Sequence, residues 1–528
     1  MRRLLDWSLT LFLAGAFLGP AIARAQARGH WYVADDDAAH DSWQNDETKI
    51  SAETVSGSFK FLWKIKLGGE SAQSQSFSEP LFTPSLISSR GFKDIVLWGD
   101  SSSLYAVDYA LGTLLWQKDF KVESARSPGA CRGLNIQIVI EPPHVIHFDA
   151  NHPHAPNTAP APPPPPPLAP AERWIGAPSA GGGFALKEIY VLTSDGYLHE
   201  QILATGLDYA PAVRFLPTSA GDSFGLNMND KIVYTESERG CRNVPNAAWS
   251  IDLNTPEHSI NSYQSQRVSL ADLTGPAIGS DGTVYILTDS GTSDLSAEVY
   301  ANSVVALTAK ELKVKDWYTP SDSVKAGMLN VSPVVLSYKD KDLLAAPGKD
   351  GSIVLLDSGS LGGRDHHTPL AQTDQISKAA KKGAWESLAS WQDKNGVLWV
   401  LASISGPVQR DVKFANTNGS APHGSIVAFK VEEMDGRPVL TPGWISRDLR
   451  NPAPPAIANG VVFALAGGDA SNHAILYALD ATTGKELYSS NDAINTYTHL
   501  SGVSVGDGHV FFTTHDNTLY SFGIPMEH

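Results

Sequence analysis

The chain has 528 residues, 42% hydrophobic and 18% charged, with 45 Gly, 34 Pro and only 5 Met. That composition supports a large core and a turn-rich β protein rather than a helical one. The formal net charge is −16 and no Lys/Arg stripe offsets it, so a polyanion is repelled and nucleic acid is not an expected partner.

In chain order, Arg2 and Arg3 precede the apolar run "LTLFLAGAFLG", and small residues follow at Ala23-Arg24-Ala25 and Ala25-Gln26-Ala27. This is the pattern of a signal peptide over residues 1–25, with an N-terminal extension over 26–50. The apolar run is too short to span a bilayer and no second one follows, so no membrane span is expected. No Cys follows the run, so there is no lipobox, and the expected location is periplasmic or secreted. "GSFKFLWKIKL" (57–67) then alternates like a strand and carries Trp63. "LYAVDYALGTLLW" (104–116) is two alternating strands around an Asp-x-x-x-Gly turn, in which Asp can bond turn amides and Gly tolerates positive φ.

Cys131 and Cys241 are the only cysteines. An even, sparse count in an exported chain suggests one disulfide between them rather than a metal cluster. An insertion over 143–185 holds a polyproline run and His144, His147, His152 and His154. Extended polyproline gives no rigid cage, so these histidines read as solvated loop residues, as do those of "DHHTP" (365–369). "GSDGTV" (279–284) and "GKDGSI" (348–353) lack the further ligands of a Ca²⁺ loop and read as hairpin turns. A second insertion covers 405–424. "LYALDATTGKELY" (476–488) then repeats the 104–116 unit almost residue for residue.

In register with the shared Asp stand Asp108, Ile202, Asp252, Thr308, Asp357, Lys430, Asp480 and Gly523. Their spacings are 94, 50, 56, 49, 73, 50 and 43, and the two large values contain the two insertions. Further apolar pairs such as 275–289 and 454–468 precede the turn units, so each repeat is four short strands. Four-stranded sheets at this period are the sign of a β-propeller, and eight register positions predict eight blades over residues 51–528. The last repeat lacks an outer strand, which 57–67 can supply, closing the ring.

The Ala-x-Asp-x-x-x-Gly-x-x-x-Trp pattern at Ala106, Asp108, Gly112 and Trp116 resembles the tryptophan-docking repeat of pyrroloquinoline-quinone (PQQ) β-propellers. Ala478, Asp480, Thr483, Gly484 and Lys485 match it again, with Tyr488 in the Trp place. The stretch 42–67 is similar to the start of quinoprotein dehydrogenases, and the resemblance covers about residues 40–525. It implies that Trp63, Trp116 and Trp317 lock neighbouring blades, with Asp108, Gly112, Asp480 and Gly484 as structural parts. On its enzymatic side it implies PQQ and Ca²⁺ in a central funnel and oxidation of an alcohol or sugar. That chemistry goes with two adjacent Cys, which this chain lacks.

Loops leading into innermost strands share one rim of a propeller, and there stand Glu79, Asn330, Trp385, Glu386, Asn451 and His499. A carboxylate, two amides, an aromatic plane and an imidazole could together hold a quinone or a cation. Otherwise they are rim and turn residues, and no G-x-S-x-G, Walker loop or H-E-x-x-H names another chemistry. No cofactor and no metal is assigned. The expectation is a monomeric, non-catalytic propeller binding a protein or ligand at its rim, with a PQQ/Ca²⁺-dependent dehydrogenase as the alternative.

Overall fold

Alternation of apolar residues turns, eight times over, into sheets of short antiparallel strands buried on both faces. The computed structural model describes residues 29–66, 77–88, 91–121, 136–141, 187–217, 222–238, 246–266, 268, 270, 274–289, 291–322, 331–377, 385–498 and 502–525. Within them lie eight sheets of four or five strands. Blade 1 runs Leu81–Ser88, Gly91–Gly99, Ser103–Asp108 and Thr113–Asp119. The innermost strands of blades 2 to 8 are Gln137–Ile140, Asp222–Asn229, Ala277–Ile278, Val334–Tyr338, Trp385–Gln392, Ala456–Ala458 and Ser504–Gly506. The outer strand of blade 8 is Lys60–Lys66, paired antiparallel with Thr518–Gly523, so the two ends of the chain share one sheet.

Blades are joined at their outer edges by tryptophans lying on glycines. Trp63 of blade 8 donates its indole N–H to the Tyr109 carbonyl at 2.8 Å, over Gly112 of blade 1. Trp116 donates to Leu203 over Gly206, and Trp444 of blade 6 donates to Ala481 over Gly484. A Cβ at Gly112 would fall 2.8 Å from the Trp63 ring, and one at Gly484 2.4 Å from that of Trp444. Both glycines also have positive φ, which suits no other residue as well. Trp317 instead stacks on His366, with ring centroids 3.7 Å apart.

The turn chemistry differs between the two clearest repeats. Asp480 accepts from the backbone amides of Thr482 and Thr483, as an Asx turn does. Asp108 faces Lys93 at 2.8 Å. "GSDGTV" and "GKDGSI" close as hairpin turns through Gly279 N to Thr283 O and Gly348 N to Ser352 O.

Of the DHHTP histidines, His367 is exposed as expected and His366 departs from the solvated reading. His366 is half-buried on Trp317 with Nδ1 2.9 Å from Asp316, and His367 Nδ1 lies 2.6 Å from the Thr319 carbonyl. Both pin the loop to the blade 4 outer strand. Within 405–424, Asn416–Thr417 adds a fifth, parallel strand to blade 6 beside Trp444–Ile445. Cys131, Cys241, the polyproline run and the four histidines at 144–154 lie outside the described residues, as do residues 1–28. Among the described residues no helix is long and apolar enough to cross a membrane.

Candidate functional site

The axis of the ring is where propeller ligands sit, and here the chain's own residues 29–50 thread it. The segment makes backbone contact with one blade after another. Trp31 pairs with Phe82 of blade 1 through two bonds of 2.9 and 3.0 Å, and Tyr32 O accepts from Ile140 N of blade 2. Ala38 O accepts from the Asn227 amide of blade 3 and from Ile278 N of blade 4. Ala39 O takes Val335 N of blade 5, Asp41 O takes Ser390 N of blade 6, and Ser42 O takes Ile457 N of blade 7. Trp43–Gln44 run parallel to Ile457–Ala458 as a short strand. Glu47 accepts from Gly508 N of blade 8, and Lys49 pairs with Asp507 at 2.6 Å. Every blade therefore holds the segment.

That grip sustains backbone geometry that these residues would otherwise avoid. Asp35, Asp36, His40 and Ser42 all have φ between 54° and 79°. Left-handed backbone costs an L-residue about 1 kcal/mol or more, and persists where surrounding bonds over-determine it. Most of the segment is buried: Trp31, His40 and Ser42 are each 1% exposed. Asp37 is its exposed carboxylate on this side, still ringed by protein.

Burial sets the electrostatics. Asp36 and Asp41 are pushed well above the usual carboxylate range, first by desolvation and then by neighbouring carboxylates, Asp37 among them. Glu79 is raised to about 7 by desolvation, against hydrogen bonds that favour its charged form. His40 is lowered to about 3 by burial alone. It is therefore neutral, with Nδ1 2.8 Å from Ser332 Oγ and Nε2 3.0 Å from the Asn227 amide nitrogen. Lys187 of blade 2 lies over the Tyr32 ring, bonds its hydroxyl at 3.1 Å, and is lowered to about 7 by burial.

Of the six rim residues predicted to hold a ligand, two have described side chains. Glu79 Oε1 accepts from Trp31 Nε1 at 2.6 Å and from Asp35 N at 3.1 Å, so it anchors the axial segment. Asn451 has φ 48° and donates Nδ2 to Gly468 O at 2.7 Å, as a turn residue does. Trp385 and Glu386 open the innermost strand of blade 6 by their backbone, and Asn330 and His499 lie outside the described residues. Sequence reasoning missed Asp35, Asp36, His40 and Asp41. Their one signal is "DDDAAHD" (35–41), acidic without period and so read as an extension. Among the described residues no three His, Cys, Asp or Glu side chains converge as a metal cage.

No family model and no curated protein matches the sequence. Solved structures do resemble the fold. A quinohemoprotein alcohol dehydrogenase from Comamonas testosteroni aligns with a TM-score of 0.58 at 12% identity, over 96% of this chain and 82% of that one. The quinohemoprotein alcohol dehydrogenase ADHIIG from Pseudomonas putida HK5 gives 0.58 at 12%, over 95% and 81%. A europium-containing methanol dehydrogenase gives 0.55 at 11%, over 94% and 98%. At such identities the likeness is one of fold alone: the chain is an eight-bladed β-propeller.

Proposed function

We propose that this protein is an exported, non-catalytic propeller that binds a protein or small ligand at its rim. The observation that carries this reading is the commitment of Glu79. Its Oε1 is taken by an indole and a backbone amide of the axial segment. A carboxylate held that way is a structural anchor, and Asn451 is likewise engaged in its own turn. Asp37 and Asp41 also spend carboxylate oxygens on the chain's own amides, those of Ala39 and Trp43. The lack of adjacent cysteines agrees. The signal-peptide pattern at residues 1–25 favours a periplasmic or secreted location.

The dehydrogenase reading is the second one, favoured by the likeness to alcohol and methanol dehydrogenases and by a near-neutral Glu79. A carboxyl near pH 7 has the proton affinity suited to general-base work. One experiment separates the two. The purified protein is incubated with PQQ and Ca²⁺, passed through gel filtration, and tested for dye reduction with an alcohol panel. We expect no quinone absorbance in the protein peak and no turnover. Stoichiometric retention with turnover overturns the binding-propeller reading.

A further inference from the structure

Away from the axis, at the junction of blades 2 and 3, three glutamates meet one amine. The chain leaves the innermost strand of blade 2 at Glu141 and re-enters the sheet at Lys187 and Glu188. Glu141 N donates to Glu188 O at 3.0 Å, which ties exit to return. Lys231, in the first turn of blade 3, reaches across with Nζ 3.3 Å from Glu141 Oε1 and 3.7 Å from Glu188 Oε2. Tyr190 and Glu200 face each other across the next strand pair. The Tyr190 hydroxyl lies 3.1 Å from Glu188 Oε2 and 3.3 Å from Glu200 Oε1.

Charge counting shows what this arrangement requires. The Glu141 and Glu188 side chains are only 14% and 10% exposed, so three ionised carboxylates against one lysine would leave a net double negative charge largely out of water. Glu188 stands between the other two carboxyls, sharing Lys231 with Glu141 and the Tyr190 hydroxyl with Glu200. Carboxylates sharing a site raise one another's proton affinity. One phenol hydrogen cannot serve both of its neighbours.

We propose that Glu141, Glu188, Glu200, Tyr190 and Lys231 form a proton-shared clasp fastening blade 2 to blade 3, closed when its carboxyls share protons and loosened when these pass to solvent. The groups facing it are few. Lys187 approaches Glu141 from the same blade while bonding Tyr32 and Thr83, and Tyr209 lies beside Glu188 and Glu200. Glu141 and Glu200 are raised to about 7, first by desolvation, and Lys231 is raised by the glutamates around it. For an acid raised on folding, stabilisation is complete below the unfolded value near 4.5 and is lost as pH rises through about 7. The clasp is therefore shut in mildly acidic surroundings and loosened in alkaline ones. Through Lys187 and Tyr32 it touches the axial segment, so loosening reaches the centre of the ring.

The test is amide hydrogen exchange on the full protein at pH 5, 6, 7 and 8.5, corrected for intrinsic rates and read at Glu188–Leu192 and Tyr197–Ile202. Protection there falls about tenfold or more beyond any fall at Ile475–Asp480 of blade 7, one pKa unit of coupling being a factor of ten. Glu200→Gln flattens the fall, and Glu79→Gln leaves it as in the wild type. Tyr190→Phe removes a donor to the ionised carboxylates and so moves the midpoint to higher pH, which serves should Glu200→Gln fail to fold. A wild-type fall no greater than that at Ile475–Asp480 overturns the clasp. So does a Glu200→Gln slope equal to the wild type, or a Tyr190→Phe midpoint that stays in place.

Discussion

The outer edge and the axis of this ring hold the same blades together by opposite means. At the edge the joint is repeated, with an indole N–H on a backbone carbonyl and a ring face on a glycine. These contacts are uncharged and local to neighbouring blades. At the axis one unrepeated segment serves seven blades through its carbonyls and the eighth through Glu47 and Lys49, with carboxylates taken out of water. The difference teaches that a ring of near-identical parts can still depend on a part with no copy. Edge damage opens one joint of several, whereas axial damage reaches every blade.

The sharpest way to break the comparison is Trp31→Ala. It removes a side chain that is 1% exposed and leaves Glu79 without its indole donor. A loss of about 4 kcal/mol is expected from a large cavity together with the lost donor. Urea denaturation reads it, and a loss under about 1 kcal/mol would mean the axis is a passenger. Next comes Trp444→Ala, a fully buried edge tryptophan, at about 3 kcal/mol. If it exceeds Trp31→Ala, the edge dominates and the comparison inverts.

The axis should also respond to pH, as the edge joints do not. Glu79 is raised to about 7, with Asp36 and Asp41 raised too, so their stabilisation is complete below the ordinary carboxylate range and is lost as pH rises through 7. His40, lowered to about 3, works against them only below its unfolded value of 6.5. The melting temperature at pH 6.5 should exceed that at pH 8.5 by about two degrees, with a difference on the order of 2 kcal/mol. Glu79→Gln should shrink the gap, and an unchanged gap would place the pH dependence elsewhere, the blade 2–3 carboxyls first. Gly484→Ala, with positive φ and a Cβ meeting the Trp444 ring, should cost about 2 kcal/mol. Asp480→Ala should cost about 1 kcal/mol through lost turn bonds, checked by thermal melting, and no loss would mean the turn holds without them.

What could be read in the sequence follows the same division. Repetition announces itself, because eight copies of strand, turn and strand recur even when some have lost their Asp. Trp63 and Trp116 were visible because they sit at fixed offsets from the turn. Trp444 was not: the third strand of blade 6 runs on to Met434, four residues past Lys430, and displaces the tryptophan from its expected place. Glu79 was found by position, as the residue ahead of an innermost strand, but its partner was not. Residues 29–50 have no period because the segment passes from blade to blade, bonding mostly by backbone, and backbone bonding leaves no mark on side-chain pattern. The acidic run 35–37 therefore read as a polar extension.

The strand at 60–66 and the segment at 29–50 bear on the order in which this chain can be built. Both precede blade 1 along the chain, yet Lys60–Lys66 needs Thr518–Gly523, and Glu47 needs Gly508 N, 461 residues away. Until blade 8 exists, the early segment has neither its outer partner nor a closed ring around it. Contacts so distant make for slow ring closure and a long exposure of blade edges. Residues 29–66 precede blade 1 along the chain but settle only once blade 8 has formed.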